Sequence, residues 1–226
     1  MDNESENKNF RKSLWQTRHN QEFTDFTFTC GASRFPVHKV IICSQSKVFH
    51  AACTRQFEVS LPFILMDIAN MTQESSTNTF NLSEFSDDYV QWLIDFLYTG
   101  TYPMETSKVP TLADHIYMFA MGDMYRIEPL AQYAADKVRI GLSQGLNLEE
   151  VLPLIPQVYN STPEHRQELR KMVVKFMISP AHGKNQAIEE REWYDDMAQQ
   201  CPEFIKELLF TCMERSSSRA MFFSLI

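Results

Sequence analysis

Glycine is scarce in this chain. Six glycines among 226 residues leave little material for loops that cradle phosphates, and no GxGxxG, GxxxxGK, GxSxG or HExxH pattern occurs. The five cysteines, Cys30, Cys43, Cys53, Cys201 and Cys212, are odd in number and widely spaced. That does not suggest a disulfide framework, and without a CxxC pair a structural zinc site has no obvious anchor. They read as thiols packed in a reducing compartment. No apolar run approaches the roughly 20 residues of a membrane span. The first residues, Met1 to Lys8, are polar and acidic, the opposite of a secretory leader. The sequons at Asn70, Asn81 and Asn160 therefore read as chance matches. Basic clusters are missing too: 21 Lys and Arg against 29 Asp and Glu give a net charge of -8. That composition argues against a nucleic-acid partner.

The residues that could carry chemistry are also badly arranged for it. The acidic pairs Asp87-Asp88, Glu149-Glu150, Glu189-Glu190 and Asp195-Asp196 are adjacent, so on a helix their carboxylates diverge. His115, His165 and His182 have no partners at metal-ligand spacing. Expected from this are no catalytic residue, no cofactor and no metal. The expected place is intracellular, cytoplasmic or nuclear, with neither membrane nor nucleic acid as partner.

What is present is an ordinary globular share of apolar residues, 44%, rich in Phe and Met. Residues 1 to about 9 read as a disordered tail, followed by a short helical stripe of Phe10, Leu14 and Trp15. Phe26, Phe28 and Cys30 alternate with threonines, the period of a half-buried strand. Gly31-Ala-Ser33 turns the chain, and Phe35 to Val37 forms the partner of a hairpin. Lys39 to Ser44 reads as a short helix, with Ser46 as N-cap of the next. Phe80 to Leu82 fits a third strand, and Thr72 to Thr79 a loop.

Ser86-Asp-Asp88 opens a helix whose stripe is Val90, Leu93, Ile94 and Leu97, with Gly100 at its C-cap. Two more helices follow, around Leu112 to Ala120 and from Pro129 to Val138. The segment Gly141 to Gly145 is the candidate boundary. Beyond it the pattern is wholly helical: a capping box at Asn147 and Glu150, breaks at Pro153 and Pro156, a helix from Thr162-Pro163 to Ser179, a weaker one over 186–200, and a last one from Pro202. Ser216-Ser-Ser218 then leads to an apolar tail, 220–226.

Several motifs in order carry a resemblance. They are Asp25 opening the first strand, Phe35-Pro-Val-His38-Lys39 closing the second, Ser46-Lys-Val-Phe49, Phe96-Leu-Tyr98-Thr-Gly100-Thr-Tyr102, and Ile116-Tyr-Met-Phe-Ala120 through Tyr125. The chain resembles a BTB/POZ domain of the fungal type over about residues 23–140. The resemblance implies an α+β fold, a short mixed sheet flanked by helices, followed by a helical extension over 141–226, with 1–22 as an N-terminal arm. The motif core would be Phe26, Phe28, Phe35, Val37, His38, Phe49, Tyr98 and Gly100. In BTB dimers an aspartate of the first strand and a basic residue after the histidine line a charged pocket at the dimer interface. By motif position these are Asp25 and Lys39. Read from the residues alone, Asp25 caps a strand, Lys39 is a solvated helix start, and His38 is a packing histidine bonded to backbone.

The function implied is a non-enzymatic interaction module that self-associates as a homodimer and scaffolds other proteins. A cullin is a second candidate partner, which would make the chain an adaptor of a ubiquitin ligase. The family's hydrophobic-x-Glu element for that contact is altered here: Phe57 is followed directly by Glu58. Leu82-Ser83-Glu84 has the spacing but belongs to the third strand. A small hydrolase is the remaining alternative.

Overall fold

The computed structural model describes residues 2–54, 78–104, 108–163, 165–179 and 193–223, with the side chains of 2–5 and 216–223 left aside. Expectations for 55–77, 105–107, 180–192 and 224–226, including Phe57-Glu58 and most of the 58–79 stretch, fall outside them. The fold is α+β. In chain order the elements are α1 (Asp2–His19), β1 (Phe26–Cys30), β2 (Ser33–Val37), α2 (Lys39–Gln45), α3 (Lys47–Thr54), β3 (Thr79–Asn81), α4 (Asp87–Thr99), α5 (Leu112–Met124) and α6 (Glu128–Ser143). They continue with α7 (Leu148–Val151), α8 (Leu154–Ser161), α9 (Glu168–Met177), α10 (Trp193–Gln200) and α11 (Pro202–Phe223). Two compact units form: Met1–Pro110 with Met121–Tyr133, and Thr111–Ala120 with Ala134–Ile226.

In the first unit the sheet runs β2-β1-β3. β1 pairs antiparallel with β2, Phe28 opposite Phe35, and parallel with β3, Phe28 beside Phe80. The alternation of β1 buries Phe26, Phe28 and Cys30, as its period-2 pattern requires. Rings complete the core: Phe49 of α3 lies 4.9 Å from Phe28, 5.2 Å from Phe80 and 5.0 Å from Tyr125, centroid to centroid. Such offset and edge geometries add to the area they bury.

Helix α4 is buried on every side from Val90 to Tyr98 except at Gln91, so its apolar stripe is only half of what it hides. The reason is α1. The expected disordered tail is helical from Asp2, because the helix is docked by two large side chains. Trp15 is buried and donates its Nε1–H to Asp95 Oδ1 at 3.1 Å. Arg18 donates Nε–H to the Pro36 carbonyl at 3.0 Å. Asp95, 1% exposed, also accepts from Gln91 Nε2 at 2.7 Å and Met104 N–H at 3.0 Å. A buried carboxylate survives only with such donors.

Local signals were realised with exceptions. Gly100 takes the left-handed C-cap, φ 80°, and a Cβ there would stand 2.6 Å from the Arg11 guanidinium. The left-handed backbone is what calls for glycine here, since the tip of a flexible arginine can move aside. Ser86 sits at the N-cap of α4, but its hydroxyl makes no capping bond. Ser46 does cap α3, accepting Phe49 N–H at 3.1 Å.

In the second unit the capping box of Asn147 and Glu150 is formed. Pro153 separates α7 from α8, whereas Pro156 falls inside the first turn of α8, where its missing N–H costs nothing. Thr162-Pro163 does not start the next helix. Thr162 is the C-cap of α8, its N–H bonded to the Val158 carbonyl, and α9 starts at Glu168. Ser216 to Ser218, which lead to the apolar tail, are helical within α11.

Arg170 of α9 organises this unit. It is 6% exposed and donates to Thr162 Oγ1 (3.2 Å), the Thr162 carbonyl (2.7 Å) and the Tyr159 carbonyl (3.2 Å). Its guanidinium lies 4.7 Å from the Tyr159 ring centroid and faces Glu203 and Glu207 of α11 at 3.7 and 3.9 Å. Tyr159 in turn donates to Glu207 Oε2 at 2.6 Å. One planar cation thus ties α8, α9 and α11.

Candidate interaction face around Asp25 and Lys39

The turn between α1 and β1 is built against backbone preference. Gln21 and Phe23 take left-handed φ of 57° and 58°, a region that non-glycine residues avoid and bulky ones most of all. Two clamps hold it. His38 Nε2 lies 2.8 Å from the Glu22 carbonyl, and its Nδ1 lies 2.7 Å from Tyr98 Oη. A carbonyl can only accept, which assigns the proton to Nε2. Nδ1 then accepts from the Tyr98 hydroxyl, whose oxygen accepts His38 N–H at 2.9 Å. Burial pushes the Tyr98 phenol up to about 12, so it stays a hydroxyl donor. His38 is therefore a packing residue bonded to backbone and tyrosine.

The second clamp is Asp25. Its backbone N–H bonds the Val37 carbonyl at 3.2 Å, and its Oδ1 accepts Lys39 N–H at 2.7 Å. His38, the N-cap of α2, offers no side-chain cap of its own. Asp25 supplies one from the neighbouring strand, with its charge at the positive end of the helix. The Lys39 ammonium turns elsewhere, donating to Asn78 Oδ1 at 2.6 Å and lying 5.6 Å from the Phe26 ring centroid. Asp25 and Lys39 are brought together, but through the lysine's backbone. Among the described residues their side chains form no ion pair within 4.0 Å. Asp25 is exposed and Lys39 half-buried. Beside them Phe23 is 87% and Val40 72% exposed. Of the motif core, Phe26, Phe28, Val37, Phe49 and Tyr98 are buried, and Phe35 is half-buried.

The element Leu82-Ser83-Glu84 is consumed by the fold. Leu82 is fully buried. The Ser83 hydroxyl accepts Gly31 N–H at 2.9 Å, and Glu84 Oε1 accepts the Tyr125 hydroxyl at 2.9 Å. Burial raises the Cys30 thiol to about 11 and that of Cys53 to about 12, which keeps them protonated and unreactive. His115, lowered to about 4 by burial, stays a neutral imidazole. Among the described residues no group of three His, Cys, Asp or Glu is placed to hold a metal ion, and no helix is long and apolar enough to cross a membrane.

Sequence reasoning did not find the Glu22 to Asp25 turn, because a left-handed phenylalanine has no local signature. Arg18, Asp95 and Arg170 were equally silent, since their partners lie far along the chain or read as ordinary helix surface.

The sheet order β2-β1-β3 with its parallel β1–β3 pair and the His38–Tyr98 pairing define a module of the α+β class. A family model for the BTB/POZ domain matches residues 14–139, more than half of the chain, and the chain belongs to that family. The match begins inside α1, ahead of residue 23, where Trp15 and Arg18 are docked. BTB/POZ domains are protein–protein interaction modules.

Proposed function

We propose that the chain is a non-enzymatic scaffold that self-associates through the face bearing Phe23, Asp25, Lys39 and Val40, and presents the remainder of its surface to a partner protein. The observation that carries this reading is the strained turn that holds Phe23 out in solvent. Left-handed backbone at a bulky residue costs of order 1–3 kcal/mol, and an exposed aromatic gains nothing in return within one chain. A second copy covering Phe23 and Val40 removes that apolar surface from water. It also desolvates Asp25 and Lys39, whose positions are already fixed. The helices beyond residue 140 serve, in this reading, as the extension that carries the partner. A cullin contact has no comparable support, because Leu82 and Glu84 are engaged internally.

Multi-angle light scattering tests the proposal. The full chain should run at twice its 26.4 kDa, and Phe23→Ser with Val40→Ser should return it to the monomer with its fold intact. A parent chain that stays monomeric at high micromolar concentration would refute the reading.

A further inference from the structure

The first unit has an open pocket of about 330 Å³ whose lining includes Ser44, Gln45, Ser46, Lys47, His50 and Arg126. Its charge is at odds with the rest of the chain. Three cationic or cation-forming side chains line it, no carboxylate does among the described residues, and the chain as a whole carries -8. All three are exposed. Among the described residues none of the three side chains takes part in an ion pair or hydrogen bond. Lys47 and His50 share the first turn of α3, which contains no acidic residue, so their charge adds to a field that is already positive. Arg126 comes from another element, the turn between α5 and α6.

The backbone that carries these side chains is fixed before any ligand arrives. The Ser46 hydroxyl donates to the Tyr125 carbonyl at 2.6 Å while accepting Phe49 N–H at 3.1 Å. It thereby joins the start of α3 to the residue preceding Arg126. Arg126 itself is held left-handed, φ 54°, with its N–H on the Asp123 carbonyl at 3.1 Å and Ile127 N–H on the Gly122 carbonyl at 2.7 Å. A Cβ on Gly122 would stand 2.6 Å from Ala131 N, so the close approach that makes this turn depends on glycine.

We infer that this pocket binds the anionic side chains of an acidic segment of a partner protein, carboxylate or phosphorylated, with Arg126 as the forked donor and Lys47 and His50 beside it. The inference rests on the reading of the chain as a protein-binding module and names the chemistry of its partner. Guanidinium and ammonium donors match carboxylate and phosphate oxygens, and the fixed backbone on which they stand limits the ordering cost to the side chains themselves.

The test uses the full-length chain and three short peptides: Glu/Ser, the same with phosphoserine for serine, and a neutral Gln/Ser control. Binding is followed by titration calorimetry and by backbone amide shifts. The acidic peptides should bind, moving the signals of Lys47, His50 and Arg126. The variant Lys47→Gln, His50→Gln, Arg126→Asn (asparagine tolerates the left-handed backbone) should bind them about tenfold or more weakly. Binding by the phosphorylated peptide alone would assign the site to a modified partner; binding by both would show that carboxylates suffice. Equal binding of the Gln/Ser peptide, or a variant as good as the parent, overturns the inference. Should the variant fold poorly, the neutral control and a salt series on the parent chain still decide, since charge-driven binding must weaken from ~50 to ~300 mM salt. Light scattering on the same samples keeps the two readings apart. A dimer that ignores the peptides defeats only the pocket, and a monomer that binds them defeats only self-association.

Discussion

The two compact units are stabilised by different means. In the first, rings dominate: Phe28, Phe49, Phe80 and Tyr125 form one cluster, and Trp92, Phe96, Tyr102 and Tyr133 another. Polar groups are buried there chiefly where they fix an element, as Asp95 fixes α1. In the second, a single guanidinium, Arg170, satisfies the C-terminal end of α8 and faces two glutamates of α11. Apolar cores lose stability in proportion to the volume removed, whereas a polar node fails abruptly when its donor is taken away.

The largest expected effect comes from Phe49→Ala, which empties the centre of the first ring cluster. It should cost about 3–5 kcal/mol, read as a lower urea midpoint. Arg170→Ala should cost less, about 2–3 kcal/mol, because Glu203 and Glu207 remain partly in water and only Thr162 and Tyr159 lose buried donors. Arg170→Lys should recover little of it, since an ammonium cannot reproduce the fork. A full rescue by lysine would show that charge alone matters and would break the contrast.

Acid and alkali should separate the units as well. His115, in the second unit, is held near 4 against an ordinary 6.5. Its neutral form is favoured by the fold, so the stability it contributes is present above pH 6.5 and is lost as pH falls toward 4. Tyr98, in the first unit, is raised from 10 to about 12; its contribution is present below pH 10 and is lost as pH rises toward 12. Hydrogen exchange, corrected for intrinsic rate, should therefore show the amides of 112–120 loosening first in acid and those around Tyr98 loosening first in alkali. The reverse order contradicts the assignment.

The smallest effect is at Asp25. Asp25→Asn keeps an acceptor for Lys39 N–H but removes the charge at the start of α2, for about 0.5 kcal/mol; Asp25→Ala removes both, for about 1 kcal/mol. Thermal melts that rank the two in the opposite order would remove its capping role.

Much of the first unit could be read before any coordinates. The period-2 run of β1, the turn at Gly31, the stripe of α4 and the αL cap at Gly100 are set by neighbours a few residues apart, and each is realised. So is the capping box of Asn147. What could not be read depends on distant partners. Trp15 meets Asp95 across 80 positions, so the N-terminal stretch looked too polar to fold. Thr162-Pro163 has the composition of a helix start, yet its hydroxyl is bound to the Val158 carbonyl and to Arg170, which makes it an end. Of the candidate face, Asp25, His38 and Lys39 were legible as motif residues. Their bonding was not: the aspartate reaches the lysine's backbone, and the lysine's ammonium reaches Asn78, which read only as part of a loop. Phe23 gave no signal at all.

The measurement closest to the central claim is hydrogen exchange of the full chain across a dilution series spanning the self-association range. Protection at residues 21–25 and 38–43 should rise with concentration while the second unit stays unchanged. Exchange at those residues that is independent of concentration, in a sample whose mass doubles, would place the interface elsewhere and contradict the account.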